Sequence, residues 1–231
     1  MMKIKTQFSM INNAFFSATL LCLVLLNPSA VTAQQQAAEV GQISKISPPA
    51  SVLVFGDSLS AAYGIDKTQG WVALLALRLQ QLNSEISVHN ASLSGETTSG
   101  GLQRLPKTLA EIQPRLMILE LGANDALRGQ NLLQTKANLE QMIQACRQQA
   151  NGCQVLLLGI RLPSNYGPAY ERLLSKVYRG LAQKYELSFD PFFLEEVALE
   201  PNMMQADGLH PTAAAQNLIV ERLWPLISAY F

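Results

Sequence analysis

From residue 51 onward, short apolar runs alternate with segments whose apolar residues recur every three or four positions, and few folds accommodate that order. The runs cover 51–55, 86–91, 116–121 and 155–160, with a weaker one at 187–189. Between them, 71–82, 102–112, 132–147 and 170–185 carry helical periodicity. A closing helix is expected over 212–230, with Pro225 as a point of disturbance. Strand and helix repeated in this way predict an α/β fold with a central parallel sheet and helices on both faces. Unbroken apolar runs such as Leu116-Met117-Ile118-Leu119 suit strands covered on both sides. One domain is expected over 51–231, and no internal repeat signals a solenoid.

The preceding residues read differently. Lys3 and Lys5 form a basic start, 14–26 is an apolar stretch, and Val31-Thr32-Ala33 matches a small-residue cleavage pattern. Residues 1–33 are therefore expected to be a signal peptide cleaved after Ala33, giving a periplasmic or secreted protein. The apolar stretch is too short to span a bilayer comfortably, so no stable membrane span is expected after cleavage. Residues 34–50 are Gln- and Ala-rich and end in Ser47-Pro48-Pro49-Ala50, the composition of a flexible lead-in. Lys3 and Lys5 leave with the signal, so 15 basic residues face 17 acidic ones. That balance, with no long basic run, argues against nucleic acid as a partner. Of three cysteines, Cys146 and Cys153 remain, bracketing a helix end and a turn. In an oxidising compartment they are candidates for a disulfide, worth about 2–3 kcal/mol in the loop-entropy picture.

Open α/β sheets place their sites beyond the carboxyl ends of the strands. Four segments converge there. Ser58, in Gly56-Asp57-Ser58-Leu59, follows the first run; Ser94-Gly95 follows the second; Gly122-Ala123-Asn124-Asp125 follows the third. Asp207 and His210 precede the last helix. A serine hydroxyl needs a base to become a nucleophile, and the chain holds only two histidines. His89 lies in a strand-like segment, where a structural role is expected. His210 lies three residues after Asp207 in a Gly- and Pro-flanked loop, a spacing that lets the carboxylate hold one ring nitrogen while the other faces Ser58. The Ser58 and Gly95 N–H groups and the Asn124 side chain are candidate oxyanion donors. Asp57 is expected to shape the turn around Ser58.

Gly56-Asp57-Ser58-Leu59, Gly95, Gly122-Ala123-Asn124-Asp125 and Asp207-Gly208-Leu209-His210-Pro211 resemble the four blocks of the SGNH (GDSL) hydrolase family. The likeness runs on through Asn90-Ala91-Ser92, Gln113-Pro114-Arg115, Glu120-Leu121-Gly122, Ile160-Arg161-Leu162-Pro163 and Pro191-Phe192-Phe193. It implies a flavodoxin-like three-layer sandwich, with Ser58 as nucleophile, His210 as base, Asp207 as its orienter and Ser58, Gly95 and Asn124 as the oxyanion hole. No metal or cofactor is implied. The activity it implies is that of an exported serine esterase of arylesterase, thioesterase or lysophospholipase type. Ala123 departs from the glycine that close relatives often carry. A glycan O-deacetylase of the same fold and a catalytically silent lipid- or glycan-binding module are the alternatives.

The expected partner is a small acyl ester or thioester. Leu162 and Tyr166, after the fourth run, are candidate walls for its acyl chain. Residues 126–129 are a candidate mobile flap that brings Arg128 to a substrate head group.

Overall fold

The computed structural model describes residues 50–231. The expected leader (1–33), and all of the lead-in but its last residue, lie outside the described residues. Five strands, β1 (Ser51–Gly56), β2 (Ser87–Asn90), β3 (Leu116–Glu120), β4 (Gln154–Leu158) and β5 (Ser188–Asp190), pair in parallel in the order β2-β1-β3-β4-β5. Among the described residues the helices are α1 (Trp71–Leu82), α2 (Thr98–Ile112), α3 (Ala123–Leu127), α4 (Leu132–Arg147), α5 (Pro168–Tyr185) and α6 (Gln216–Ser228). One outer layer is α1 against α6; the other is α2, α4 and α5, packed in succession. This is the α/β three-layer arrangement that the alternating pattern predicts.

The apolar runs became the middle of the sandwich. Leu53, Val54, Leu116, Met117, Ile118, Leu119, Leu156, Leu157 and Leu158 have no exposed surface. Burying each such side chain favours folding by roughly 1.5–3 kcal/mol, before entropy is counted. The edge strands β2 and β5 are only partly covered, and three-residue β5 accounts for the weaker run at 187–189.

Boundaries shift for local reasons. Helix α2 begins at Thr98, four residues before its apolar periodicity, because the Thr97 side chain caps it by accepting the Gly100 N–H. Gly100 and Gly101 hide that first turn from a periodicity reading. Gly101 is there for packing: a Cβ would sit 2.7 Å from Leu121 Cδ1. Pro168 occupies the first position of α5, where its missing N–H costs nothing. The closing segment divides into a 3-10 turn, Ala213–Ala215, and α6. Pro225 removes one backbone donor from α6 without ending it. Helix α3 was not foreseen; five residues are too few to show a period. Cys146, at the end of α4, is bonded to Cys153 just before β4, with Cα atoms 5.3 Å apart.

From β1 the chain runs outward to β2 and then crosses back past β1 to β3, so the crevice of the sheet opens between the ends of β1 and β3. Ser58 follows one of these strands and Asn124 the other.

Candidate active site

The turn after β1 is pinned from beneath by Glu120, the last residue of β3. Its Oε2 accepts the Asp57 N–H at 3.2 Å and the Ser60 hydroxyl at 2.8 Å. Position 56 must be glycine, since a Cβ would meet Glu120 Oε2 at 2.6 Å and Glu120 O and Ser60 Oγ at 2.9 Å each. The Asp57 carboxylate is fully buried and accepts the Leu59 N–H at 3.0 Å and an Asn124 side-chain N–H at 3.1 Å. With backbone and neighbours held in this way, Ser58 presents its hydroxyl outward.

Opposite stands the loop before α6. An isolated antiparallel bridge joins Met204 to Pro211, and the Gln205 N–H donates to the His210 carbonyl at 2.7 Å. Gln205 Nε2 also donates to Tyr63 O, tying this loop to the one that carries Ser58. Gly208 takes φ +65°, the left-handed turn that returns the chain toward Ser58. His210 Nδ1 is 2.7 Å from Asp207 Oδ2, and its Nε2 is 2.9 Å from Ser58 Oγ. With the proton on Nδ1, the ring donates to Asp207 and accepts from Ser58. Asp207 Oδ1 also accepts the N–H groups of Leu209 and His210 at 2.9 and 3.0 Å. Tyr63 covers one face of the imidazole, ring centroids 4.4 Å apart.

Electrostatics separate the carboxylates. At Asp207 partial burial works against the charge, but hydrogen bonds from His210 and the two backbone N–H groups outweigh it and hold the pKa down at about 2. Burial raises Asp57 to about 6 against the opposing bonds from Leu59 and Asn124. Burial, together with neighbouring Asp57, lifts Glu120 well above the carboxylate range. The carboxylate facing the histidine is therefore held toward its charged form, and burial pushes the one beneath the turn toward its neutral form.

The structure thus brings Ser58, Asp207, His210 and Asn124 together. Gly95 opens the turn after β2 at φ +79°, with its carbonyl accepting from Arg128 Nη2 at 3.1 Å. The Glu96 carboxylate beside it is clamped by Arg104 Nε at 2.6 Å. Of the residues expected as a flap, Ala126 and Leu127 belong to α3, Arg128 and Gly129 form the turn after it, and Arg128 closes against Gly95. A cavity of about 140 Å³ opens at Ser58, lined by Asn124, Leu127, Ile160, Leu162, Phe192 and His210, among others. A second, of about 480 Å³, shares Leu162, Phe192 and Leu209 and extends to Leu199 and Met204. Leu162 is thus a wall of both. Tyr166 lines neither; its hydroxyl donates to Leu127 O at 3.1 Å and braces the wall against α3. His89 lies exposed on β2, 3.2 Å from Ser87 Oγ, paired with neither acid nor nucleophile of the site.

Sequence reasoning gave Glu120 no role beyond its place in the family likeness, and passed over Tyr63. A signal for Glu120 existed: a carboxylate inside an otherwise apolar run is rarely buried without a purpose. Nothing local marked Tyr63, whose partner is 147 positions away.

The model of the GDSL-like Lipase/Acylhydrolase family matches residues 54–218. The chain belongs to this family, the SGNH hydrolases, and is an acyl hydrolase. It is 51% identical over 177 residues to the esterase TesA of Pseudomonas aeruginosa, covering 77% of this chain and 87% of that protein. It is 43% identical over 182 residues to thioesterase 1/protease 1/lysophospholipase L1 of Escherichia coli, covering 77% and 85%. Arylesterase of Vibrio mimicus is 41% identical over 170 residues, covering 74% and 84%. Among solved structures, TesA superposes with a TM-score of 0.75 at 50% identity, covering 78% of this chain and 99% of that one. The psychrotrophic esterase EstA of Pseudoalteromonas sp., inhibited by monoethylphosphonate, gives 0.72 at 36% identity, covering 78% and 97%.

Proposed function

We propose that this chain is an exported serine esterase that hydrolyses acyl esters and thioesters through an acyl-enzyme. The observation that carries the reading is the unbroken hydrogen-bonded series Ser58–His210–Asp207 at the mouth of an apolar cavity. His210 Nε2 takes the Ser58 proton as Oγ attacks the acyl carbonyl. Charged Asp207 keeps the ring in the productive tautomer and stabilises the imidazolium. The oxyanion is received by the Ser58 and Gly95 N–H groups and the Asn124 amide. Collapse expels the alcohol or thiol, which leaves with the proton from His210. Water then attacks the acyl-enzyme by the same relay and frees the acid.

The lining of Leu162, Phe192 and Leu209 favours acyl chains longer than acetyl, which argues against the glycan O-deacetylase reading. The small cavity holds the ester and the larger one the distal chain. Export rests on the basic, apolar and small-residue segments of 1–33, and the folded enzyme is assigned to 51–231. Among the described residues no helix is long and apolar enough to cross a membrane.

Hydrolysis of p-nitrophenyl esters from acetate to dodecanoate, by the parent chain and Ser58→Ala, tests the assignment. Activity that falls by a factor of about 10³ or more in the variant is expected. Equal turnover by both proteins would discard the serine mechanism, and a preference for acetate would restore the deacetylase reading. Fractionation of cells expressing the full chain tests export: activity that stays with the cytoplasm would remove it.

A further inference from the structure

The two segments that carry the candidate oxyanion donors are joined by one buried carboxylate, that of Asp125. Asp125 directly follows Asn124 in α3 and is 1% exposed. Its Oδ2 accepts the Thr98 N–H at 2.8 Å and its Oδ1 the Thr98 hydroxyl at 2.5 Å. Thr98 lies three residues beyond Gly95, is fully buried, and is the first residue of α2. Asn138 of α4 donates to the Thr98 hydroxyl at 3.0 Å, and Thr135 of α4 donates to Asp125 Oδ1 at 3.3 Å. Both are buried as well. Helix α2 has no acidic residue in its first turn, so the positive end of its dipole is met by a carboxylate from another element.

We infer that Asp125 is a positioning residue for the hydrolysis, setting the separation of the Gly95 and Asn124 donors through Thr98. The inference rests on the oxyanion hole proposed above. A carboxylate taking two hydrogen bonds from a single residue fixes both distance and angle, and burial removes competing water. The other polar link between the segments, Arg128 to Gly95 O, is exposed and holds less firmly. Donors serve only if they meet the oxyanion rather than the ground-state carbonyl, so a small change in their spacing is felt in kcat before KM.

The test uses Asp125→Asn, Thr98→Val and Thr98→Ser, with active sites counted by a fluorophosphonate. For Asp125→Asn and Thr98→Val, kcat per titrated site is expected to fall by about 10–100-fold with KM within about threefold. Affinity for an acyl trifluoromethyl ketone, which places an oxyanion in the hole, falls in parallel, while inhibition by the product fatty acid does not change. Thr98→Ser keeps the hydroxyl and restores kcat. A purely structural role would lower the count of active sites and the melting temperature, and leave kcat per site at the parental value. That result, or equal losses in Thr98→Ser and Thr98→Val, overturns the inference. If Asp125→Asn does not fold, the Thr98 pair decides alone. Ser58→Ala is run alongside: activity surviving there would sink the serine mechanism itself, whereas its loss together with a parental kcat in Asp125→Asn would sink only the positioning role.

Discussion

Replacing Glu120 probes what holds the turn that carries Ser58 in place. Alanine here would strand the Asp57 N–H and the Ser60 hydroxyl, both buried against Glu120 Oε2. Each orphaned group costs about 1–3 kcal/mol, so Glu120→Ala should lose about 2–6 kcal/mol. In a domain of this size that lowers the melting temperature by about 8–16 °C for a mid-range loss. Glutamine keeps an oxygen for both donors and places its NH₂ where Oε1 already lacks a partner. Burial and Asp57 push Glu120 toward its neutral form, which glutamine resembles. Glu120→Gln should therefore lose about 1 kcal/mol or less. The sign with pH is fixed too. A carboxyl raised on folding stabilises fully below its unfolded pKa of 4.5, and that contribution drains away as pH rises toward the folded value. Urea unfolding at about pH 5 and about pH 7 should show a smaller decline in Glu120→Gln than in the parent. A glutamine variant as unstable as the alanine one at both pH values would mean an ionised Glu120 and refute the reasoning.

Gly56→Ala drives a Cβ into a backbone carbonyl and Glu120 Oε2, so about 1–3 kcal/mol of strain and a drop in kcat on the order of 10²-fold are expected; parental kcat with the fold intact would contradict the packing argument. Asp207, held near 2, gives stability that is present above 3.8 and lost as pH falls toward 2. Asp207→Asn should therefore flatten the acid limb of an unfolding profile over that window, and an unchanged limb would rule this out. Asp57, raised to about 6, acts in the opposite sense: stability declines as pH climbs from 3.8 to 6, and Asp57→Asn should reduce that decline. Reducing the Cys146–Cys153 bond, which closes a loop of sequence separation 7, should cost about 2.5 kcal/mol, read as a fall of about 5–10 °C in melting temperature. A melting temperature indifferent to reductant would deny the bond that role.

The layers were legible because β1, β3 and β4 are buried on both faces and read as continuous apolar runs. The polar residues of the proposed triad stood out against that background: Ser58, Asp207 and His210 lie in short Gly-containing segments, each beside a strand end or a helix start. What stayed hidden depends on contacts between distant segments. Asp125 reads as a turn former until Thr98, 27 positions away, is brought against it. Arg128 and 126–129 read as a free flap until α3 winds and the guanidinium finds Gly95 O. Leu162 and Tyr166 belong to one loop with the same apolar character, and only packing decides that one faces the cavity while the other braces it. The Gly100-Gly101 pair masked the start of α2 because close packing, not helix propensity, selected those residues.

The separation of 152 positions between Ser58 and His210 ties the timing of activity to the completion of the chain. On the proposed mechanism the nucleophile, Ser58, follows the first strand, while the base, His210, arrives just before the last helix. That helix must then dock on α1, where Gln216 accepts the Trp71 N–H across 145 residues. A chain still emerging from the ribosome carries Ser58 before His210 exists to take its proton. Esterase turnover is accordingly a report that both ends of the domain have met, and a chain that loses its final helix is expected to fall silent while most of its sheet can still assemble.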